Sequence, residues 1–195
     1  LGGMSWESTL DYYRLINTGV KERLGGLHSA RIAMVSVDFD PIEKLQCRGD
    51  WDETGRILSK AAQDIEAAGA DILLICTNTM HRVADKVQAA VNIPLLHIAD
   101  ATAGELTRKG MEKVGLLGTA FTMEQDFYKG RLRDLYGLEV LVPEGPDRQT
   151  VHDIIYKELC LGQIRTKSRE KYLDIIDRLA GQGAQGVILG CTEIG

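Results

Sequence analysis

Apolar and polar positions along this chain follow two rhythms that take turns. Residues 31–38 (RIAMVSVD) are rich in β-formers. Residues 71–76 (DILLIC) form a short continuous apolar run, the pattern of a strand buried on both faces. Between them, Ile57, Leu58, Ala61, Ala62, Ile65 and Ala68 recur at three- and four-residue steps, which predicts an amphipathic helix over 51–68 that stops at Gly69. The alternation continues with a helix over 81–90, a strand over 94–98 and a helix over 100–109 ended by Gly110. A strand over 114–117, a helix over 122–136 and a strand over 139–142 come next, then helices over 151–159 and 168–182 and a last strand over 186–189. Strands alternating with helices predict an α/β fold with mainly parallel sheets and right-handed crossovers.

The chain also repeats itself. Leu1-Gly2-Gly3 resembles Leu117-Gly118-Thr119, each read as a strand end entering a loop. Residues 68–79 (AGADILLICTNT) resemble 182–193 (QGAQGVILGCTE), so both halves read Gly-Ala, an apolar run, then Cys-Thr. This predicts two pseudo-symmetric α/β lobes, 1–97 and 98–195, each a mainly parallel sheet flanked by helices. A cleft between lobes is a preferred small-molecule site, and ligands of open α/β sheets bind beyond the carboxyl ends of the strands. Cys76 and Cys191 fall there in sequence.

Two thiols at matched strand ends suit proton exchange at a carbon acid. One thiol takes a hydrogen from one face of a substrate carbon, and the other returns a proton to the opposite face. A reference pKa near about 8.5 lets a thiol serve as either acid or base. Thr77, Asn78, Thr79 and Thr192 follow the cysteines where strands give way to helices, where backbone N–H groups and short polar side chains bind carboxylates. A single cysteine at a strand end more often packs as a small hydrophobe, and a Thr-Asn-Thr run is also an ordinary helix cap. It is the matched pair that favours chemistry. Cys47 and Cys160 lack such a context and are read as structural. Trp6 is read as packing, His81, one turn after Cys76, either as tuning that thiol or as hydrogen-bonded packing, and His97 as structural. Glu193 either tunes Cys191 or faces a helix start, where an acid is favourable.

Composition narrows the partners. The net charge of −5 over 195 residues and a pI of about 5.4 argue against a nucleic-acid surface. No apolar stretch reaches the roughly 18 residues of a spanning helix, so no membrane role is expected. No Cys-x-x-Cys pair points to zinc or redox work. Four cysteines in a chain of this size suggest reduced thiols in a cytoplasm rather than a disulfide scaffold. The opening at Leu1 and the stop just after a strand–turn pattern suggest further residues at both ends. The glycines of 1–9 lack the dinucleotide-binding spacing.

The pieces LGGMSWEST (1–9), CTNTMH (76–81), GTAFTMEQDFY (118–128), HDIIYKELCLG (152–162) and GCTEIG (190–195) resemble the aspartate/glutamate racemase superfamily across essentially the whole chain. Their detail is most similar to the bacterial L-aspartate/glutamate-specific racemases. The resemblance implies a two-base mechanism without pyridoxal phosphate, metal or other cofactor, with Cys76 and Cys191 as the acid/base pair. It implies Met4, Thr77, Asn78 and Thr79 around the substrate carboxylate and amine, with Thr119 or Thr122 and Thr192 added from the second lobe. Gln46 falls near the substrate side chain, and Cys160 aligns where some aspartate racemases carry a lysine. Neutral residues at both places imply tolerance of aspartate and glutamate, although Arg48 or Lys157 could supply charge. The Gly-Gly-Met-Ser opening and Glu193 argue against the cell-wall glutamate racemases. The resemblance also implies a homodimer that binds a small acidic amino acid. Maleate isomerases and hydantoin racemases keep two cysteines as well, and a non-catalytic amino-acid-binding protein is the alternative from another class.

Overall fold

The computed structural model of the protein describes residues 1–194. Its contacts divide it into two compact units, Leu1–His97 and a second from Ile98 onward.

In the first unit, helices α1 (Trp6–Leu24), α2 (Phe39–Arg48) and α3 (Trp51–Ala67) precede a 3-10 helix over Thr79–Val83 and α4 (Ala84–Gln88). Each of the first three begins at a side-chain cap. Ser5 accepts from the Ser8 N–H, Asp38 from Asp40 and Asp50 from Glu53. Such caps satisfy backbone donors that a helix start leaves unpaired. The stripe expected on α3 is buried: Leu58, Ala61, Ala62 and Ile65 pack with Ile42, Leu73, Ile75, Met80 and Val87 into one cluster. Fully burying a leucine or isoleucine contributes about 1.5–3 kcal/mol.

The three strands expected in this unit take a different form. Residues 31–38, 71–76 and 94–98 form no ladder: isolated parallel bridges link Gly2 to Ser36 and Leu73 to Leu95, and Ile98 already opens the next helix. Gly2 donates to Val35 O at 2.9 Å and accepts from Val37 N at 3.0 Å, while Cys76 N donates to Leu1 O at 2.9 Å. Leu1 and Gly2 thus lie between the other two segments, and two residues close single bridges rather than a ladder. The stretch expected as a helix over 81–90 begins earlier as the 3-10 turn and becomes α-helical only at Ala84. Trp6 is 64% exposed, which corrects its reading as packing: it opens α1, whose buried residues are only Ser8 and Thr9.

The second unit is a three-layer α/β sandwich. Strands β1 (Lys113–Leu117), β2 (Glu139–Leu141) and β3 (Val187–Leu189) form a parallel sheet in the order β2-β1-β3. Lys113 pairs with Glu139 on one side of β1, and Leu117 with Leu189 on the other. Because successive side chains point to opposite faces, β1 feeds two cores. Val114 and Leu116 pack with Ala99 and Ala103 of α5 (Ile98–Arg108) and with Tyr128 and Leu132 of α7 (Asp126–Tyr136). Leu117 packs with Val151, Ile154 and Ile155 of α8 (Gly145–Lys157) and with Ile175 and Leu179 of α9 (Thr166–Gly181). Helices on both faces explain why β1 reads as an unbroken apolar run. The helix expected over 122–136 is two, α6 (Ala120–Glu124) and α7, broken where Gln125 takes an extended backbone.

Candidate active site

In the first unit Cys76 ends the segment that lies beside Leu1. Its N–H donates to Leu1 O, and its carbonyl accepts from Ser8 Oγ at 2.9 Å. The start of α1 is thereby tied to the thiol-bearing residue. Gly3, at φ 98°, makes the turn between them, and a side chain there would strike the Val37 carbonyl. Burial pushes the Cys76 thiol above its ordinary value, so the resting form is the thiol.

After Cys76 come Thr77, half-buried, and Asn78 and Thr79, both buried. Asn78 stands at the cap position of the 3-10 helix and makes no side-chain capping bond. Its Oδ1 has no hydrogen-bond partner among the described residues. A buried acceptor left unpaired costs about 1–3 kcal/mol, so the ordinary-cap reading of Asn78 does not hold. The Thr77 carbonyl lies 2.8 Å from His81 Nδ1, and the His81 ring meets His97 edge-on at 4.4 Å. Both histidines are buried, in keeping with hydrogen-bonded packing. Gln46 is buried on α2 beside Ile42. Met4 sits in the core cluster at 3% exposure.

In the second unit the ends of β1 and β3 come together. Gly190 N donates to Leu117 O at 2.6 Å, and a Cβ on Gly190 would meet that oxygen at 2.9 Å. Glycine is therefore required immediately before Cys191. Thr119 caps α6 by accepting from Thr122 N at 3.4 Å, and the two hydroxyls lie 3.2 Å apart. Thr122 is fully buried with its methyl against Gly118 and Gly190. It supports the turn between β1 and α6. Cys191 Sγ donates to the Glu193 carboxylate at 2.8 Å, and Thr192 Oγ1 donates to the same oxygen at 3.0 Å. Burial first, then the Glu193 charge, push the Cys191 thiol well above its ordinary value.

Two contacts are absent from the sequence reading. Ser8 holds the Cys76 carbonyl, and His152 Nδ1 on α8 accepts from Ala120 N at 3.1 Å, while its ring lies 4.8 Å from that of Tyr156. Neither follows from a motif, since both depend on a contact distant in sequence. Cys47 and Cys160, read as structural, are both exposed. Among the described residues no group of three or more His, Cys, Asp or Glu side chains is placed to hold a metal ion, and no helix is long and apolar enough to cross a membrane.

Comparison with known proteins gives a consistent picture. The family model of the Asp/Glu/hydantoin racemases matches residues 1–195. A crystal structure of a candidate Asp/Glu racemase from Yersinia pestis superposes with a TM-score of 0.94 at 56% identity, covering 99% of this chain and 84% of that one. An aspartate racemase homologue from Pyrococcus horikoshii OT3, PH1733, gives a TM-score of 0.81 at 37% identity with the same coverage of each chain. A broad specificity amino-acid racemase, RacX, from Bacillus subtilis (strain 168) is 30% identical over 84 residues. That match spans 43% of this chain and 37% of the length of RacX.

Proposed function

The chain belongs to the Asp/Glu/hydantoin racemase family, and from that premise we propose that it interconverts the L and D forms of aspartate and glutamate by proton transfer between Cys76 and Cys191, without pyridoxal phosphate. The observation that carries this reading is a local construction made twice. In each unit an extended segment leads to a cysteine beside a leucine carbonyl, which accepts from the Cys76 N–H at Leu1 and from the N–H of Gly190, one residue before Cys191, at Leu117, and the chain continues into a 3-10 helix.

The chemistry follows from one thiol at each face of the substrate Cα. A thiolate removes the Cα proton and becomes a thiol, and the electron pair stays on carbon, stabilised through the carboxylate. The opposite thiol then donates its proton to carbon and becomes the thiolate, so the roles are exchanged after each turnover. Positioned proton transfer of this kind contributes about 10²–10⁴ in rate. Glu193 accepts the Cys191 proton when that thiol must act as base. When Cys76, held protonated by burial, acts as base, its proton passes to solvent and the positive charge of a substrate ammonium favours the thiolate left behind.

Asn78 Oδ1, a buried acceptor without a partner among the described residues, suits that ammonium. Thr77, Thr79, Thr119 and Thr192 supply hydroxyl and backbone donors for the carboxylate and the developing negative charge. Gln46, buried and neutral, would contact either side-chain carboxylate without strict choice of length.

The test is exchange of the α-proton with solvent deuterium, alongside circular dichroism, on a panel of D- and L-amino acids with no added cofactor. Exchange and racemisation are expected for aspartate and glutamate and lost in Cys76→Ser and Cys191→Ser. Absence of exchange for both amino acids overturns the racemase reading, and full activity of either variant overturns the two-base mechanism.

A further inference from the structure

A second thiol stands beside Cys191, and proton transfer does not use it. Cys160 lies in a one-turn 3-10 helix, Leu159–Leu161, which ends at Gly162 in the left-handed conformation. This helix packs against the 3-10 helix Thr192–Ile194 that follows Cys191. Leu159, Cys191 and Ile194 rest on the same apolar cluster, which includes Val151, Ile155 and Tyr172. After burial and the Glu193 charge, Cys160 is a further cause of the raised Cys191 pKa, and Tyr172, raised first by burial, is raised also by both thiols. The two sulfurs therefore share one neighbourhood.

Their exposures differ in a useful way. Cys160 is open to solvent and Cys191 is half-buried. Redox-sensing cysteines are solvent-accessible and stand next to a resolving thiol. A disulfide spans Cα atoms about 4.4–6.8 Å apart, a separation within reach of residues on two short helices packed against each other.

We propose that Cys160 and Cys191 form a peroxide-sensitive pair whose disulfide withdraws Cys191 from proton transfer. In the first step the Cys160 sulfur attacks a hydroperoxide oxygen. An S–O bond forms, the O–O bond breaks, and Cys160 becomes a sulfenic acid with release of water. In the second step the Cys191 sulfur attacks the Cys160 sulfur, forming the S–S bond as the S–O bond breaks. Glu193 accepts the Cys191 proton, and the leaving hydroxide departs as water. Two thiols and one hydrogen peroxide give one disulfide and two waters. A thiol reductant reverses the change.

The disulfide does not depend on the racemase reading, whereas its effect on turnover does. The experiment therefore reads mass as well as activity. Reduced protein carrying Cys47→Ser, which removes the other exposed thiol, is treated with hydrogen peroxide at about one equivalent, alkylated and digested with trypsin. The peptide 158–165 is expected joined to the peptide that begins at Leu179, with intact mass reduced by two hydrogens. Exchange activity is expected to fall in step with this link and to return with reductant. In Cys160→Ser the link is absent, and activity lost to peroxide does not return, because Cys191 passes on to sulfinic acid. Sulfinic acid at Cys191 without the link in the unsubstituted pair, or full reductant recovery in Cys160→Ser, overturns the proposal. If the link forms in a protein that exchanges no α-proton, the thiol pair stands and the racemase reading falls.

Discussion

The Cys191 thiol donates to the Glu193 carboxylate at 2.8 Å, two residues along the chain. Beyond burial, the charge of that carboxylate holds the thiol protonated. Glu193→Gln removes the charge and keeps a hydrogen-bond acceptor. The ionisation of Cys191 is then expected to move to lower pH, because a neighbouring negative charge disfavours the thiolate. Iodoacetamide alkylation of Cys191, followed against pH with Cys47 and Cys160 replaced by serine, measures the shift. An unchanged profile means that the carboxylate does not govern the thiol. The variant is also expected to slow exchange in the direction that uses Cys191 as base, since its proton has lost its acceptor.

The same raised thiol links stability to pH. A folded-state pKa above the unfolded value means that the folded protein keeps its proton where the unfolded chain loses it. The contribution to stability is therefore complete below the unfolded thiol pKa of about 8.5 and is lost as pH rises above it. Over about pH 8.5–10, Cys191 is expected to lower stability by up to about 1.4 kcal/mol per pH unit. Cys76 adds in the same sense. Urea midpoints at several pH values measure the slope, and Cys191→Ser, which does not titrate, is expected to flatten it. Equal slopes for the two proteins contradict the raised thiol.

Asn78 separates stability from function. Its Oδ1 is buried without a partner among the described residues, so Asn78→Ala removes an unsatisfied acceptor together with a small side chain. Thermal stability is expected to hold or rise, since the unpaired group costs about 1–3 kcal/mol. Turnover is expected to fall at least tenfold, and KM to rise, through the loss of an ammonium contact. A large loss of stability with normal turnover means that Asn78 serves the fold instead.

Much of this architecture is legible in the sequence where burial is periodic. Leu58, Ala61, Ala62 and Ile65 repeat with the helix and are buried together in α3. Val114 to Leu117 form a continuous apolar run because β1 is covered on both faces. Helix α1 escapes such a reading because Trp6, Leu10, Tyr13 and Leu15 are all exposed while the small polar Ser8 and Thr9 are buried. The half-buried Tyr12, Ile16 and Val20 follow Ser8 at four-residue steps, so the inner face of α1 begins on a small polar residue. The cysteine-bearing strand ends are visible as a repeat. The cover that Gly190 gives Thr122 is not, since that contact is distant in sequence. His152 is hidden for the same reason.

The turn after β1 depends on that histidine. Ala120 N–H, at the start of α6, donates to His152 Nδ1 at 3.1 Å, so the other ring nitrogen carries the proton in the neutral ring. His152→Ala leaves the amide without this acceptor at a half-buried position, and a stability loss of about 1 kcal/mol is expected. His152→Asn offers a side-chain oxygen of similar reach and is expected to recover part of it. Denaturant midpoints give the energies, and protection of the Ala120 amide in hydrogen exchange localises them. If the amide is equally protected in the alanine variant, the turn is held by the Thr119–Thr122 cap alone. If protection falls while the midpoint is unchanged, the histidine orders the turn beside Cys191 without supporting the fold as a whole.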